Sequence, residues 1–341
     1  MRELSGASLG AANTSLAQSN GSNNETYPEQ VQVFSPPLIV LFALICLLII
    51  SANGLIIYLI CRKKTLRSIT NMFLTSLALS DLVFGLAGFP LLAICSFRGF
   101  ISLCVSSVIF IRFTAISSVC HVLLIACDRY VAIIHPMQHP SLVTKRRAII
   151  ATFFVWLFAF AVSIIQLSWY GFNKAAMTEY KAETENIDVV YSKTCIVLFF
   201  VFPLVLMCYV YGRIFYISFK HIKKDRQMSC SLQQAPRSLR HEWRGKSVLL
   251  IMMVIFIGCW LPFFLTILEH HKQSSESSPS PVWLTRLLVV LRFIPPLSNP
   301  LLCTMSKHDF RSAVKAEVLQ KILKKLSVDF RKQRSLDVVL T

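Results

Sequence analysis

Leu123-Leu124-Ile125-Ala126-Cys127-Asp128-Arg129-Tyr130-Val131-Ala132-Ile133 places an acid, a base and an aromatic residue side by side in an otherwise apolar run. Ionisable residues near the end of a membrane span are costly unless they neutralise each other or face the interior of a helix bundle. The triplet is therefore either a plain ion pair at a helix end or part of a functional site. The rest of the chain has to decide between these two interpretations.

The composition assigns the chain to the membrane. Of its 341 residues, 55% are hydrophobic and only 15% are charged, a balance that soluble domains do not have. A helix needs about 20 mainly apolar residues to cross the hydrocarbon, and seven segments qualify: approximately 37–61, 69–95, 104–134, 148–170, 191–219, 245–269 and 282–305. They lack the period-2 alternation of a barrel, so we predict an all-α membrane protein with a seven-transmembrane helix bundle. We call these segments the first to seventh spans.

The basic residues set the expected orientation. The first, third and fifth connections are rich in Lys and Arg, whereas the connection at 171–190 carries four acids. By the positive-inside rule, the odd-numbered connections and the C-terminus face the cytosol, and the N-terminus lies outside. The net charge of +18 is then explained by topology and contact with anionic lipid, and we do not expect nucleic-acid binding.

The leader before the first span agrees with this orientation. It contains three glycosylation sequons, which begin at Asn13, Asn20 and Asn24 and are usable only on the outer side. We therefore expect a glycosylated extracellular tail at 1–36, the bundle at 37–305, an amphipathic eighth helix at 306–326 and a cytoplasmic tail at 327–341.

Four of the polar residues inside the predicted spans indicate a common site. Asp81 lies well inside the second span, where a carboxylate costs about 2.5–3.5 kcal/mol, so it needs a partner. Ser118 in the third span, Asn299 in the seventh and Asn53 in the first supply hydroxyl and amide groups. Asn53 also suits the ordinary role of a polar residue that joins two helices. Together the four predict a small polar cage for a sodium ion or a proton.

Each span contains its own short motif, and the motifs follow one another in a characteristic order. They are Asn53-Gly54, the Leu-Ala-x-x-Asp that ends at Asp81, Cys104, Asp128-Arg129-Tyr130, Trp156, Pro203 with Tyr211, Cys259-Trp260-Leu261-Pro262, Asn299-Pro300 and Phe310. In this order they resemble the rhodopsin-like (class A) family of G-protein-coupled receptors, from roughly Pro37 to Leu326. The resemblance implies a receptor that converts binding of an outer ligand into nucleotide exchange on a heterotrimeric G protein.

Helix lengths place the motifs at opposite faces of the membrane. Cys104 and Arg129 lie about 37 Å apart along one helix, and Glu242 lies about 27 Å below Trp260, at the cytosolic end of the sixth span. The resemblance makes the contact between Arg129 and Glu242 a latch of the inactive state, with Asp128 as a second partner. Alternatively, Glu242 only caps the N-terminal end of its helix.

Three prolines interrupt the backbone hydrogen bonds of the spans. Pro203, Pro262 and Pro300 loosen the fifth, sixth and seventh helices and create hinge points. By resemblance, Pro203, Val119 and Phe256 form a packing switch beneath the ligand, and Trp260 forms the floor of the pocket. Without the resemblance, these aromatic residues are ordinary core. The remaining residues of the expected switch are Tyr130, Met137, Tyr211, Asn299 and Pro300.

The chain departs from the family pattern at two sites. The seventh-span motif ends in Cys303 where the family usually has tyrosine. A thiol cannot make the phenol's water-bridged contact toward Tyr211, so we expect coupling that is weak, altered or constitutive. The second outer loop lacks a cysteine, so the resemblance pairs Cys104 with Cys195, with Cys95 as the alternative. Pro295 and Pro296 also predict an irregular seventh helix.

The outer half of the bundle indicates the class of ligand. The position that binds ammonium in amine receptors is Ile111, and the position of the retinal lysine is Phe293, so neither ligand is expected. Arg112 and Arg292 lie there instead, and a guanidinium pairs well with a carboxylate or phosphate. We predict a ligand with an acidic group, although Glu269 is an alternative partner for one arginine. The expected pocket comprises Ile111, Arg112, Ala115, Trp260, Glu269 and Arg292.

The sequence leaves few rival functions. An odorant-type chemoreceptor is an alternative within the family, and a transporter or channel is one outside it, but the chain has no internal repeat. It also lacks the motifs of an enzyme. The expected partners are a heterotrimeric G protein, an extracellular small-molecule, lipid or peptide ligand, and membrane lipids. No cofactor is expected apart from sodium near Asp81, and the expected location is the plasma membrane.

Overall fold

A computed structural model describes residues 36–98, 101–170, 182–228, 250–262, 282–306 and 310–317. All regular elements in these ranges are helical. The three sequons, Glu242 and Glu269 lie outside the described residues, so the predictions that rest on them are not addressed by the structure.

Helices occupy the described parts of all seven predicted spans. The first span is Pro36–Arg62, the third is Ile101–Ile134, the fourth is Lys145–Ile164 and the described part of the sixth is Leu250–Pro262. The second span consists of the helix Ile69–Val83, the π-helical turn Phe84–Gly88 and the helix Phe89–Arg98. The fifth span has the same construction, with the helix Ala182–Ile196, the π-helical turn Val197–Val201 and the helix Phe202–Met228. The seventh consists of Val282–Leu291 and Ile294–Ser306. Shorter helices lie at Lys64–Leu66, His139–Leu142, Leu167–Tyr170 and 310–317.

Five of the described helices are long and apolar enough to cross a membrane. Their outward faces carry large apolar side chains, such as Leu44, which is 54% exposed, and Phe153, which is 62% exposed. Because an apolar face of this extent is unstable in water, its exposure fits a surrounding of lipid.

The seventh span is broken where the sequence predicted irregularity. Between its two pieces, the backbone N–H groups of Arg292 and Phe293 donate to carbonyls three residues back, those of Val289 and Val290. Pro295 and Pro296 follow at once, and neither has an N–H for the helical ladder. The break is therefore a direct consequence of the two prolines.

The third span lies at the centre of the packing. It contacts the second, fourth and fifth spans, and the seventh span packs against the first and second. The largest apolar cluster joins Ile125 and Ala126 of the third span to Leu77 of the second and Met207 of the fifth. Residues of the third span are thus positioned to sense movement of most of the bundle.

A second cluster is aromatic. The ring of Phe293 in the seventh span lies 4.9 Å from that of Phe42 and 5.1 Å from that of Phe84. The first and second spans approach closely here, since a Cβ at Gly85 would meet the Ile49 side chain at 3.1 Å. Phe293, which takes the place of the retinal lysine of an opsin, is therefore a packing residue.

A buried polar network joins the second, third and fourth spans. His121 is fully buried, and its Nδ1 lies 2.7 Å from the Ser117 carbonyl oxygen. Because a carbonyl only accepts, Nδ1 carries the proton and Nε2 accepts from the Ser76 hydroxyl at 2.7 Å. The same hydroxyl accepts from the Trp156 indole N–H at 2.8 Å. The family motif residue Trp156 is thus fixed by a serine and a histidine that the motifs did not reveal.

We predict that Ser76→Ala destabilises the protein. It leaves the Trp156 N–H and the His121 Nε2 without a partner in a buried site, at a cost of about 1–3 kcal/mol. The measurement is the thermal unfolding midpoint of the purified protein, which should fall.

Ser51→Ala is the matched control. The Ser51 hydroxyl is exposed and bonds only to the Leu47 carbonyl one turn earlier in its own helix, at 2.6 Å. An equal loss of stability in the two variants would contradict a structural role for the Ser76 network.

Candidate functional site

The Asp128 carboxylate is the centre of a polar cluster at one end of the third span. Its side chain is only 1% exposed, and its Oδ2 accepts from the Arg129 Nη2 at 2.7 Å and Nε at 3.1 Å. The Thr70 hydroxyl of the second span donates to the same oxygen at 2.7 Å, and Arg129 also contacts that hydroxyl. Arg129 is therefore held against the second span by a buried acid.

A histidine of the neighbouring connection completes this cluster. The Nε2 of His139, in the short helix His139–Leu142, lies 3.1 Å from the Asp128 Oδ1. Because a carboxylate only accepts, Nε2 is the donor. Asp128 thus joins the third span, the second span and the connection after the third span. Sequence reasoning identified Asp128 and Arg129 but missed Thr70 and His139, since only the fold brings them near.

The other predicted switch residues occupy different surroundings. Tyr130 is half-buried and packs on the largest apolar cluster, whereas Met137 is 92% exposed beside the third span. Tyr211 is buried in that cluster, and its hydroxyl has no hydrogen-bond partner among the described residues. The contact between Arg129 and Glu242 lies outside the described residues and stays a prediction.

The residues of the predicted polar cage are partly assembled. The Asn299 amide donates to the Asp81 Oδ2 at 2.8 Å, and the Ser118 hydroxyl also hydrogen-bonds this carboxylate. Asn53 is directed elsewhere, because its Nδ2 donates to the carbonyls of Ile49 and Pro296, each at 3.0 Å. Pro300 follows Asn299 directly, inside the second piece of the seventh span.

The role of Asn53 is therefore to join helices. Pro300 lacks an N–H, so the carbonyl of Pro296, four residues earlier, has no partner within its own helix. The Asn53 amide supplies the missing donor from the first span. This is the helix-joining role that the sequence offered for Asn53, and in the described structure no hydrogen bond joins Asn53 to Asp81.

A cavity extends through the bundle from the Asp81 group toward the break in the seventh span. It encloses about 620 Å³ of empty space, including its open end. Four of the predicted pocket residues line it, namely Ile111, Ala115, Trp260 and Arg292, and so do Asp81, Ser118 and Asn299. The predicted ligand pocket and the predicted polar cage are therefore parts of one space.

Arg112 does not share this cavity, and its predicted place in the pocket is wrong. It is buried between the third, fourth and fifth spans, where its Nη1 donates to the Gln166 Oε1 at 2.8 Å and its guanidinium stacks 4.6 Å from the Tyr191 ring. Successive residues of a helix point about 100° apart, so Ile111 faces the cavity while Arg112 faces away. The cavity therefore has one arginine of the predicted pair, Arg292.

The packing-switch residues lie together only in part. Val119 and Phe256 share a buried cluster with Phe200, whose ring lies 5.7 Å from that of Phe256. Pro203 is buried at the start of the helix that follows the π-helical turn Val197–Val201. That turn adds a residue to the fifth span just before the proline, which directs Phe200 toward the sixth span.

The predicted disulfide between Cys104 and Cys195 is wrong. Cys195 is a thiol inside the helix Ala182–Ile196, where it packs against the cluster of Ile116, Ala159 and Phe199. Cys95, at the end of the second span, is the cysteine that is disulfide-bonded. Cys95 is the alternative partner that the sequence left open for Cys104. The side chain of Cys104 is not among those that the structure describes.

Comparison with known proteins identifies the class of this site. A family profile described as the 7 transmembrane receptor (rhodopsin family) matches residues 52–302. Among similar proteins, the adenosine receptor A2b of Gallus gallus is 28% identical, over 86% of this chain and 91% of its own length. The histamine H2 receptor of Rattus norvegicus is 29% identical, over 80% of this chain and 77% of its own length. The somatostatin receptor type 5 of Rattus norvegicus is 27% identical, over 92% of this chain and 86% of its own length.

These matches decide between the functions that the sequence left open. They do not specifically favour an odorant-type chemoreceptor, and they show that the alternative of a transporter or channel is wrong. The prediction of a receptor rather than an enzyme is confirmed, because members of this family are signalling receptors. The cluster around Asp128 and Arg129 lies at the place of the family's Asp-Arg-Tyr motif, and the chain belongs to the rhodopsin family of seven-transmembrane receptors.

Proposed function

We propose that this receptor lies in the plasma membrane, binds an extracellular ligand in the cavity between Trp260 and Asp81, and activates a heterotrimeric G protein at the end that carries Arg129. The alternation of basic connections and the three sequons support an outer N-terminus and a cytosolic C-terminus. The observation that carries the proposal is the buried hydrogen bonding of Arg129 to Asp128 and Thr70.

The proposed activation step is the release of Arg129. In the present packing its guanidinium is held by Asp128 and contacts Thr70, so it is directed along the second span. An outward movement of the sixth span opens a groove, into which a helix of the G protein inserts its apolar face. A ligand favours this state only by binding it more tightly than the closed state.

We predict that Asp128→Asn raises ligand-free nucleotide exchange on the G protein that the receptor couples to. Hydrogen bonds to a charged group contribute about 1.5–3 kcal/mol, so losing the charge shifts the population toward the released state by about tenfold or more. The measurement is nucleotide exchange on a panel of purified G proteins, with receptor reconstituted in nanodiscs.

Arg129→Ala should abolish the exchange that Asp128→Asn produces. Lys145→Ala is the control, since Lys145 is an exposed base at the start of the fourth span, shortly after His139–Leu142. Exchange by the double variant Asp128→Asn/Arg129→Ala at the level of Asp128→Asn would refute the proposed role of the arginine.

The proposed ligand carries an acidic group that Arg292 binds. Arg292 lines the cavity directly beside the break in the seventh span, and the rest of the wall is mostly apolar. A carboxylate or phosphate matches its guanidinium, and an apolar body matches the wall around Ile111 and Trp260.

We predict that acids stabilise the receptor where their methyl esters do not. A screen of such matched pairs reads the thermal unfolding midpoint, because a ligand at 100 times its dissociation constant stabilises by about 2.7 kcal/mol. Arg292→Gln should remove the response to the acid, whereas Arg112→Gln should keep it, because Arg112 faces away from the cavity. Equal responses to acid and ester, or an unchanged Arg292→Gln response, would exclude this ligand class.

Sodium binding at Asp81 is proposed as a third property. The Asp81 carboxylate, held by Asn299 and Ser118, lines the same cavity and offers oxygen ligands. The bound ion joins the third and seventh spans and thereby favours the closed packing.

We predict that NaCl raises the unfolding midpoint of the receptor relative to N-methylglucamine chloride at equal ionic strength. Asp81→Asn should abolish the difference, since the neutral amide keeps the shape of the side chain but loses its charge. Glu317→Gln serves as the control, since Glu317 is a buried acid of the helix at 310–317, away from Asp81 and Arg129. A sodium effect that persists in Asp81→Asn would place the ion at another site.

A further inference from the structure

A groove opens on the lipid-facing side of the bundle, between the first span, the seventh span and the helix at 310–317. It encloses about 790 Å³ of empty space, including its open side. Its wall is apolar and includes Leu55, which is 38% exposed, and Leu301, which is 55% exposed. Two bases, Arg311 and Lys315, line one end. The groove belongs to neither the central cavity nor the Arg129 cluster.

The helix at 310–317 is fixed in place on this side of the bundle. Phe310 is fully buried in the largest apolar cluster, and Glu317 is buried as well. The Tyr58 hydroxyl of the first span donates to the Glu317 Oε1 at 3.1 Å. Arg311 and Lys315 are four residues apart and therefore lie on one face of this helix, and that face borders the groove.

The two bases at the groove are not neutralised by the described part of the protein. There, no hydrogen bond or ion pair is formed by Arg311 or Lys315. The acid within the described helix 310–317, Glu317, is bonded to Tyr58, whose hydroxyl also accepts from the Arg62 Nη1 at 2.7 Å. The groove thus combines two cationic groups at its end with an apolar wall that faces lipid.

This combination matches the chemistry of one kind of molecule. A phosphate beside Arg311 and Lys315 would gain two charge-assisted contacts, and an acyl chain would cover Leu55 and Leu301. A zwitterionic lipid offers the chain but no net charge, and a soluble anion offers the charge but no chain. We propose that the groove is a binding site for an anionic phospholipid of the leaflet at the Arg129 end of the bundle.

The site also has a structural consequence. A lipid whose phosphate binds the helix at 310–317 and whose chain lies between the first and seventh spans ties these three elements together. Leu301 follows Pro300, where the seventh helix lacks one hydrogen bond, so the lipid packs against the loosened part of this span.

The test is lipid titration of the full-length receptor in detergent, with bound lipids resolved by native mass spectrometry. Phosphatidylserine and phosphatidylcholine with identical acyl chains are the probes. We expect the wild type to prefer phosphatidylserine, and Arg311→Gln/Lys315→Gln to bind it about tenfold or more weakly, since each base contributes about 1 kcal/mol near a membrane surface. Phosphatidylcholine also carries a phosphate, but its quaternary ammonium offsets that charge, so its binding should fall less than that of phosphatidylserine. Leu301→Trp, which fills the apolar wall, should weaken the binding of both lipids.

Lys145→Gln/Arg146→Gln is the matched control. It removes the same charge from exposed positions at the start of the fourth span, away from the groove, and should bind phosphatidylserine as the wild type does. Phosphatidylserine affinity that is unchanged in Arg311→Gln/Lys315→Gln, or equally reduced in the control, overturns the proposal. So does displacement of the lipid by soluble glycerophosphoserine at equal concentration, which would indicate a site for free anions.

Discussion

The closed packing of this receptor depends on one buried carboxylate. Asp128 is almost inaccessible, yet it accepts hydrogen bonds from Arg129, Thr70 and His139. A buried charge is tolerated only when its lone pairs are satisfied. The second span, the third span and the connection after it therefore have to keep their positions together. An interaction with this requirement suits a switch, because it breaks cooperatively when one of its partners moves.

The central cavity lies apart from this cluster and brings two other ionisable groups into one space. A base, Arg292, lines the same space as an acid, Asp81, and the seventh span contributes to both places. The seventh helix is weakened between these places at Pro295 and Pro296, and directly after them at Pro300. A ligand that contacts Arg292 thus acts on a helix that bends more easily than its neighbours. Asn53 limits this bending, because it bonds the Pro296 carbonyl that Pro300 leaves without a helical partner.

Much of the fold follows from hydropathy alone, since a lipid solvent admits few architectures for apolar runs of this length. The break in the seventh span was also predictable, because proline acts on its own helix. The contacts between spans were less accessible. Thr70, His139, Ser76 and His121 carry no motif, and their partners lie up to 80 residues away in the sequence. The rotation of each helix decides such contacts. It also explains why Arg112 was wrongly placed in the pocket and why Cys195 packs in the bundle without forming the disulfide.

The departure at Cys303 has a counterpart in the structure. Tyr211 is buried by Met207 and other members of the largest apolar cluster, and its hydroxyl has no hydrogen-bond partner among the described residues. A buried hydroxyl that gains a hydrogen-bond partner is stabilised by about 1–3 kcal/mol, so a packing of the bundle that supplies a partner to Tyr211 is favoured. A thiol is a weak hydrogen-bonding group, and Cys303 is a poor replacement for a phenol in any packing that brings the fifth and seventh spans together.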